Sequence, residues 1–178
     1  MFLTQESACV LVIDFQPRLF QVMDRKEELL NNAVKLLKGC HILGIPIVAT
    51  EQYPKGLGST LPEIKEFLNE KDTYAKMSFS AYPVIKQALR EVDKKDVILL
   101  GIEAHICVYQ TCRDLVQSGY KVFVPYECVS SRNPAHVQNA LRLMDKMGAW
   151  ITNVEAVLFD LLKTAEAKEF KEIAKLIK

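Results

Sequence analysis

Asp96-Val-Ile-Leu-Leu-Gly-Ile-Glu-Ala-His-Ile-Cys107-Val108 carries an apolar run into a glycine and then delivers a cysteine. The run Val97-Ile-Leu-Leu100 is short, branched and bounded by a turn residue, which reads as a buried strand. After the turn, Cys107, Thr111 and Leu115 recur at helical spacing, so a helix begins close to the cysteine. Unpaired N–H groups and the positive end of the helix dipole at such a terminus favour thiolate over thiol. The segment is therefore a strand, a turn and a helix, with a candidate nucleophile in the turn.

The same grammar repeats on both sides. Apolar β-rich runs occur at Ala8–Ile13, Ile45–Thr50, Thr73–Lys76, Val97–Leu100, Lys121–Pro125 and Trp150–Thr152. Helical patterns fill the intervals near 27–43, 81–92, 106–118 and 134–147, with Gly44, Gly119 and Gly148 placed as C-terminal caps. Residues 155–178 read as one or two amphipathic helices. Nearly continuous apolar strands fit burial on both faces of a parallel sheet. The expectation is one α/β domain over residues 1–178: three layers, doubly wound and Rossmann-like, with a six-stranded, mainly parallel sheet flanked by helices. In such folds ligands bind beyond the carboxyl ends of the strands, where strand order reverses. Asp14, Lys76 and Cys107 all stand just past strand ends.

Composition narrows the function. A net charge of +1 over 178 residues, with Lys and Arg scattered among Asp and Glu, offers no basic stripe for nucleic acid. Met1–Ser7 lacks a basic leader region and no segment reaches the ~20 apolar residues of a membrane span. The five cysteines are odd in number and never spaced C-x-x-C, so neither a disulfide framework nor a structural zinc site is expected, and a reducing cytoplasm is the expected location. Cys9, Cys40 and Cys112 read as buried core thiols, and Met144 and Met147 as core.

Each candidate has a plainer alternative. Asp14, desolvated at a buried strand end, is suited to accept a proton, or it caps the following turn. Lys76 could lower the pKa of a nearby thiol, or be a surface lysine. Cys107 is a nucleophile or an inert buried thiol. Ser130, Ser131 and Arg132 serve a neighbouring subunit or cap the helix beginning near Pro134.

Together, Ile13-Asp14-Phe-Gln, Lys76-Met-Ser-Phe-Ser and Gly101-Ile-x-x-x-x-Cys107-Val resemble the isochorismatase-like cysteine hydrolases, in order and approximate spacing, over nearly the whole chain. The resemblance implies an Asp14, Lys76, Cys107 triad. It implies a non-proline cis peptide before the cysteine, at Glu103–Ala104, and an oxyanion hole from the N–H groups of Ala104 and Cys107. The loop 50–59 resembles that of the isochorismatase-domain branch and should wall the pocket. Gln52 and Tyr53, with Phe15, Phe79 and His105, are the expected substrate contacts. Two departures matter. Ala104-His105 stands where relatives often carry Thr-Asp or Thr-Glu, and His105 could replace the lost polar contact. His41, His105 and His136 do not form the Asp-x-His-x-x-His segment that holds metal in nicotinamidases, so no metal or other cofactor is expected and nicotinamide is not the expected substrate. Keeping Cys107 argues against the vinyl-ether cleavage of isochorismatase itself.

The resulting expectation is a hydrolase of a small amide or related acyl compound, working through a thioester on Cys107. Its partners are a small-molecule substrate and, by the resemblance, further copies of the same chain, with no nucleic acid and no membrane. The alternative is a non-catalytic or regulatory binding protein on the same scaffold.

Overall fold

The computed structural model describes residues 3–177. Met1 and Phe2 of the leader reading, and Lys178 at the end of the expected C-terminal helices, lie outside the described residues. The chain opens with β1 (Ala8–Ile13), α1 (Pro17–Phe20), α2 (Lys26–Ile42), β2 (Ile47–Gln52), α3 (Pro54–Leu57), α4 (Pro62–Lys65), β3 (Thr73–Lys76) and α5 (Tyr82–Val92). It continues with β4 (Asp96–Ile102), a π-helical turn (Ala104–Val108) running into α6 (Tyr109–Gln117), β5 (Lys121–Pro125) and β6 (Val129–Ser130). It closes with α7 (Pro134–Lys146), β7 (Trp150–Thr152), α8 (Val154–Leu162) and α9 (Phe170–Ile177).

The strands form one seven-stranded sheet, ordered β3-β2-β1-β4-β5-β7, with β6 beside the end of β4. Every pairing is parallel. The strand beyond the expected six is β6, two residues long and too short to show a periodicity. The three short helices α1, α3 and α4 also went unread: each has four residues and opens on a proline, a single turn with no room for a repeat.

Period-two alternation divides the core. Ala8, Val10 and Val12 of β1 face α2, α8 and α9, whose Leu36, Leu158 and Ile173 are fully buried. Cys9, Leu11 and Ile13 face the opposite layer, where Ile85 of α5, Leu115 of α6 and Met144 of α7 are fully buried. Both faces are covered, which is why these strands are apolar without interruption. Gly119 and Gly148 end their helices at φ +84° and +96°, as glycine caps do.

The winding reverses between β1 and β4, whose registers run side by side from Ala8↔Asp96 to Ile13↔Gly101. Gly101 has φ +149°, and a Cβ there would lie 2.4 Å from the Ile13 carbonyl oxygen. Only glycine lets β4 approach β1 this closely at the switch point. Asp14 leaves one strand and the Cys107 turn leaves the other.

Candidate active site

β1 ends by turning its backbone. Asp14 has φ +54°, a left-handed conformation that Asp tolerates better than most residues, and its N–H donates to the Thr50 carbonyl at 3.1 Å. The carboxylate is fully buried. Its Oδ1 accepts from Thr50 Oγ1 at 2.8 Å, while Oδ2 lies 2.7 Å from Lys76 Nζ. That second contact is an ion pair at an angle outside hydrogen-bond geometry.

The Lys76 side chain is as completely buried as its partner. Nζ also donates to Gln52 Oε1 at 2.7 Å and to the carbonyls of Phe79 and Ser78 at 3.1 and 3.2 Å. Two opposite charges taken out of water are held by this polar surround rather than by solvent. The plainer reading of Lys76 as a surface residue is excluded.

Cys107 sits in the π-helical turn after β4. The turn is drawn together by the Glu103 carbonyl, which accepts from Ile106 and Val108 N–H at 3.1 and 3.2 Å. The thiol pKa is pushed up to about 12, first by burial and then by the charge of Asp14 and a hydrogen bond to it. Lys76 and a backbone hydrogen bond at Glu103 pull the other way without overcoming this. The thiolate favoured by a helix terminus is thus opposed here, because desolvation beside an anion acts against the dipole.

Of the five cysteines, Cys9, Cys40, Cys112 and Cys128 are fully buried, and only Cys107 reaches a cleft. The cleft holds about 170 Å³ and is walled by Leu19 of α1, Leu57 of α3, Phe79 and Ile106. Gln52 and Glu103 also line it.

The other expected contacts lie elsewhere. Phe15 is fully buried in the core layer beneath α2. Tyr53, half exposed, packs its ring over Gly56. Ala104 opens the π-helical turn that carries Cys107, with its side chain buried. Gln52 borders the cleft, but its Oε1 accepts from Lys76 and its Nε2 donates to the Met77 carbonyl at 2.9 Å. It therefore braces the lysine.

Gln16 is a further residue of the site to which the sequence pattern assigns no role. It is fully buried, and its amide pairs with the backbone of Gln52 in both directions, accepting from N–H at 2.8 Å and donating to the carbonyl at 2.9 Å. It continues by side chain the β1–β2 ladder that Asp14 breaks, and so holds the residue that holds Lys76. The signal was a polar residue two positions past a buried strand end.

The cis peptide is Ile102–Glu103, one bond earlier than expected. β4 runs to Ile102 rather than Leu100 and the helical turn starts at Ala104, leaving Glu103 as the whole connection. Its carboxylate is turned toward the β6–α7 loop, where Oε1 takes Arg132 Nε at 3.0 Å. His105 stands outside the cleft, with Nδ1 2.9 Å from Ser131 Oγ and 3.6 Å from Glu103 Oε2, and its ring 4.4 Å from that of His136. Burial leads in lowering the His105 pKa, with His136 and Arg132 adding to it against Glu103. The cap of α7 is neither serine nor Arg132: Asn133 accepts from Ala135 N–H at 2.9 Å. Among the described residues no three His, Cys, Asp or Glu side chains form a metal-holding group, and no helix is long and apolar enough to cross a membrane.

Comparison with known proteins places the chain among relatives of one family. Residues 8–156 match the model of the Isochorismatase domain. Isochorismatase domain-containing protein 2 of Danio rerio is 38% identical over 172 residues, covering 95% of this chain and 84% of the relative. Isochorismatase domain-containing protein 1 of the same species is 37% identical over 167 residues, 93% of this chain but 59% of the longer relative. A solved structure of MAR1 ribonuclease from Caenorhabditis elegans superposes with a TM-score of 0.93 at 36% identity, over 99% of this chain and 92% of the other. With the domain match covering most of its length and the doubly wound sheet beneath it, the chain belongs to the isochorismatase family.

Proposed function

We propose that this protein is a cysteine hydrolase of a small amide or related acyl compound. The observation that carries the reading is a fully buried Asp14–Lys76 pair beside the one cysteine that reaches a cleft. Asp14 accepts the Cys107 proton as the sulfur attacks the substrate carbonyl, forming the C–S bond. Lys76 balances the charge throughout, since the proton only moves between its two neighbours. The N–H groups of Ala104 and Cys107 receive the oxyanion, a contribution of about 3–4 kcal/mol per donor in well-formed sites. Protonated Asp14 then donates to the departing amine as the C–N bond breaks. Water, deprotonated by the same carboxylate, cleaves the thioester and restores the thiol.

The test is turnover of an amide and ester panel, with mass spectrometry for an acyl adduct on Cys107. Cys107→Ala and Asp14→Asn should each lower kcat by about a thousandfold or more, as loss of a unit in a nucleophile–base pair does. Undiminished turnover in either variant would sink the assignment.

The Caenorhabditis elegans relative brings a second reading, RNA cleavage. A net charge of +1 and a cleft of about 170 Å³ favour the small substrate. Cleavage of labelled RNA that disappears in Cys107→Ala would reverse that preference. Homo-oligomerisation belongs with the proposal, because Met77 and Phe79 stand largely exposed beside Gln52. Light scattering that finds a monomer would remove it.

A further inference from the structure

The cleft carries information about charge that the triad does not. Leu19, Leu57, Phe79 and Ile106 offer apolar surface, and Gln52 has both ends of its amide engaged. Lys76 is fully buried among Asp14, Gln52 and two carbonyls, so its ammonium is not offered to a ligand. The remaining charged residue of the lining is Glu103, which is 8% exposed. Its Oε1 is taken by Arg132 from outside the cleft, where that side chain is 60% exposed, and its buried Oε2 accepts no hydrogen bond, with His105 Nδ1 3.6 Å away.

We infer that this cleft selects small, uncharged, predominantly apolar acyl groups and rejects carboxylate-bearing ones, with Glu103 setting the charge preference. The inference rests on Cys107 being the nucleophile of the proposed hydrolase. A carboxylate entering the cleft would shed its hydration and meet no cation in return. It would also meet the negative end of the Glu103–Arg132 pair, whose cation lies outside the cleft. The volume sets the size: a cavity of about 150 Å³ takes a benzene ring, so one ring or a short aliphatic chain fills this one. The substrate class is a small neutral amide with an aryl or alkyl acyl group.

The native protein is labelled at pH 8 with an equimolar mixture of iodoacetamide and iodoacetate, two alkylating agents of similar size, the first neutral and the second anionic. In each reaction an S–C bond forms at Cys107, the C–I bond breaks, iodide leaves, and the thiol proton passes to Asp14 and solvent. The two adducts are counted by peptide mass spectrometry against 2-mercaptoethanol in the same mixture. Cys107 should favour the amide over the acid about tenfold more than the free thiol does, the scale of a like charge several ångströms away near a protein surface. Glu103→Gln should remove most of that excess. Leu57→Lys, which puts a cation in the wall, should shift labelling toward iodoacetate and keeps the test decisive if the first variant folds poorly. A ratio at Cys107 equal to that of the free thiol overturns the inference, as does an unchanged ratio in both folded variants. Selective labelling without turnover of any amide overturns the hydrolase reading and leaves the selectivity standing. Turnover with unselective labelling does the reverse.

Discussion

Lys76 and Asp14 illustrate how a residue's surroundings decide what it is. Removing one partner of a buried pair leaves the other charge without compensation, a loss of about 3–5 kcal/mol. Lys76→Met should therefore lower the urea midpoint sharply at neutral pH. Adding Asp14→Asn should recover part of that loss, because the orphaned charge goes with it. Additive losses in the double variant would mean that packing, not charge, explains Lys76. Gln16→Leu should leave KM nearly unchanged and reduce kcat by up to about a hundredfold, the scale of a misplacement of about 1 Å. An equal change in both parameters would remove Gln16 from the positioning of Lys76. Both partners were legible in the sequence as polar residues at strand ends. Their mutual burial was not, because whether a lysine keeps its water depends on segments far from it in the chain, here Gln52 and the carbonyls of Ser78 and Phe79.

Among elements, β4 and its turn concentrate the constraints. At Gly101, φ +149° with the Ile13 carbonyl 2.4 Å from the position of a Cβ makes alanine costly twice over. The backbone conformation alone accounts for about 1–3 kcal/mol, and the contact can be relieved only by parting β4 from β1. Gly101→Ala should unfold at markedly lower denaturant and slow Cys107 acylation, and native stability in that variant would refute the close-approach argument. Asn133→Ala, which only removes the α7 cap, should cost about 1 kcal/mol without changing turnover. The long strands and helices were readable because their periodicities span several turns of pattern. The single-turn helices α1 and α3 were not, yet they deliver Leu19 and Leu57 to the cleft wall. Short elements carry specificity in this protein, and short elements leave little periodicity to read.

Across the whole molecule, burial sets the response to alkali. The pKa values of Cys9, Cys40, Cys107 and Cys112 are each pushed up to about 12 by burial first, and Cys128 goes well above its ordinary value of 9.0 for the same reason. These thiols stay protonated in the folded protein while their unfolded counterparts ionise. The folded state thus holds more protons from about pH 9 upward, and stability falls as pH rises between the unfolded and folded values. Each thiol contributes about 1 kcal/mol per pH unit in that window. Urea unfolding under reductant at pH 8, 9 and 10 should show a progressive loss, shallower in Cys40→Ala by one thiol's share. A midpoint that does not move with pH would contradict the burial of these side chains. Alkylation of Cys107 by iodoacetamide should likewise keep climbing beyond pH 9 rather than level off.

The sequence by itself determined the alternation of strand and helix, the doubly wound sheet and the three strand ends that hold Asp14, Lys76 and Cys107. It could do so because hydrophobic periodicity is written locally and parallel βα units wind in only one sense. Tertiary structure alone decided that burial beside Asp14 raises the Cys107 pKa, that Gln52 serves Lys76, and that Phe15 and His105 stand away from the cleft. It also placed Glu103 as the charged side chain on the cleft wall. Desolvation and charge pairing depend on what the rest of the chain places within a few ångströms, and no local pattern encodes that.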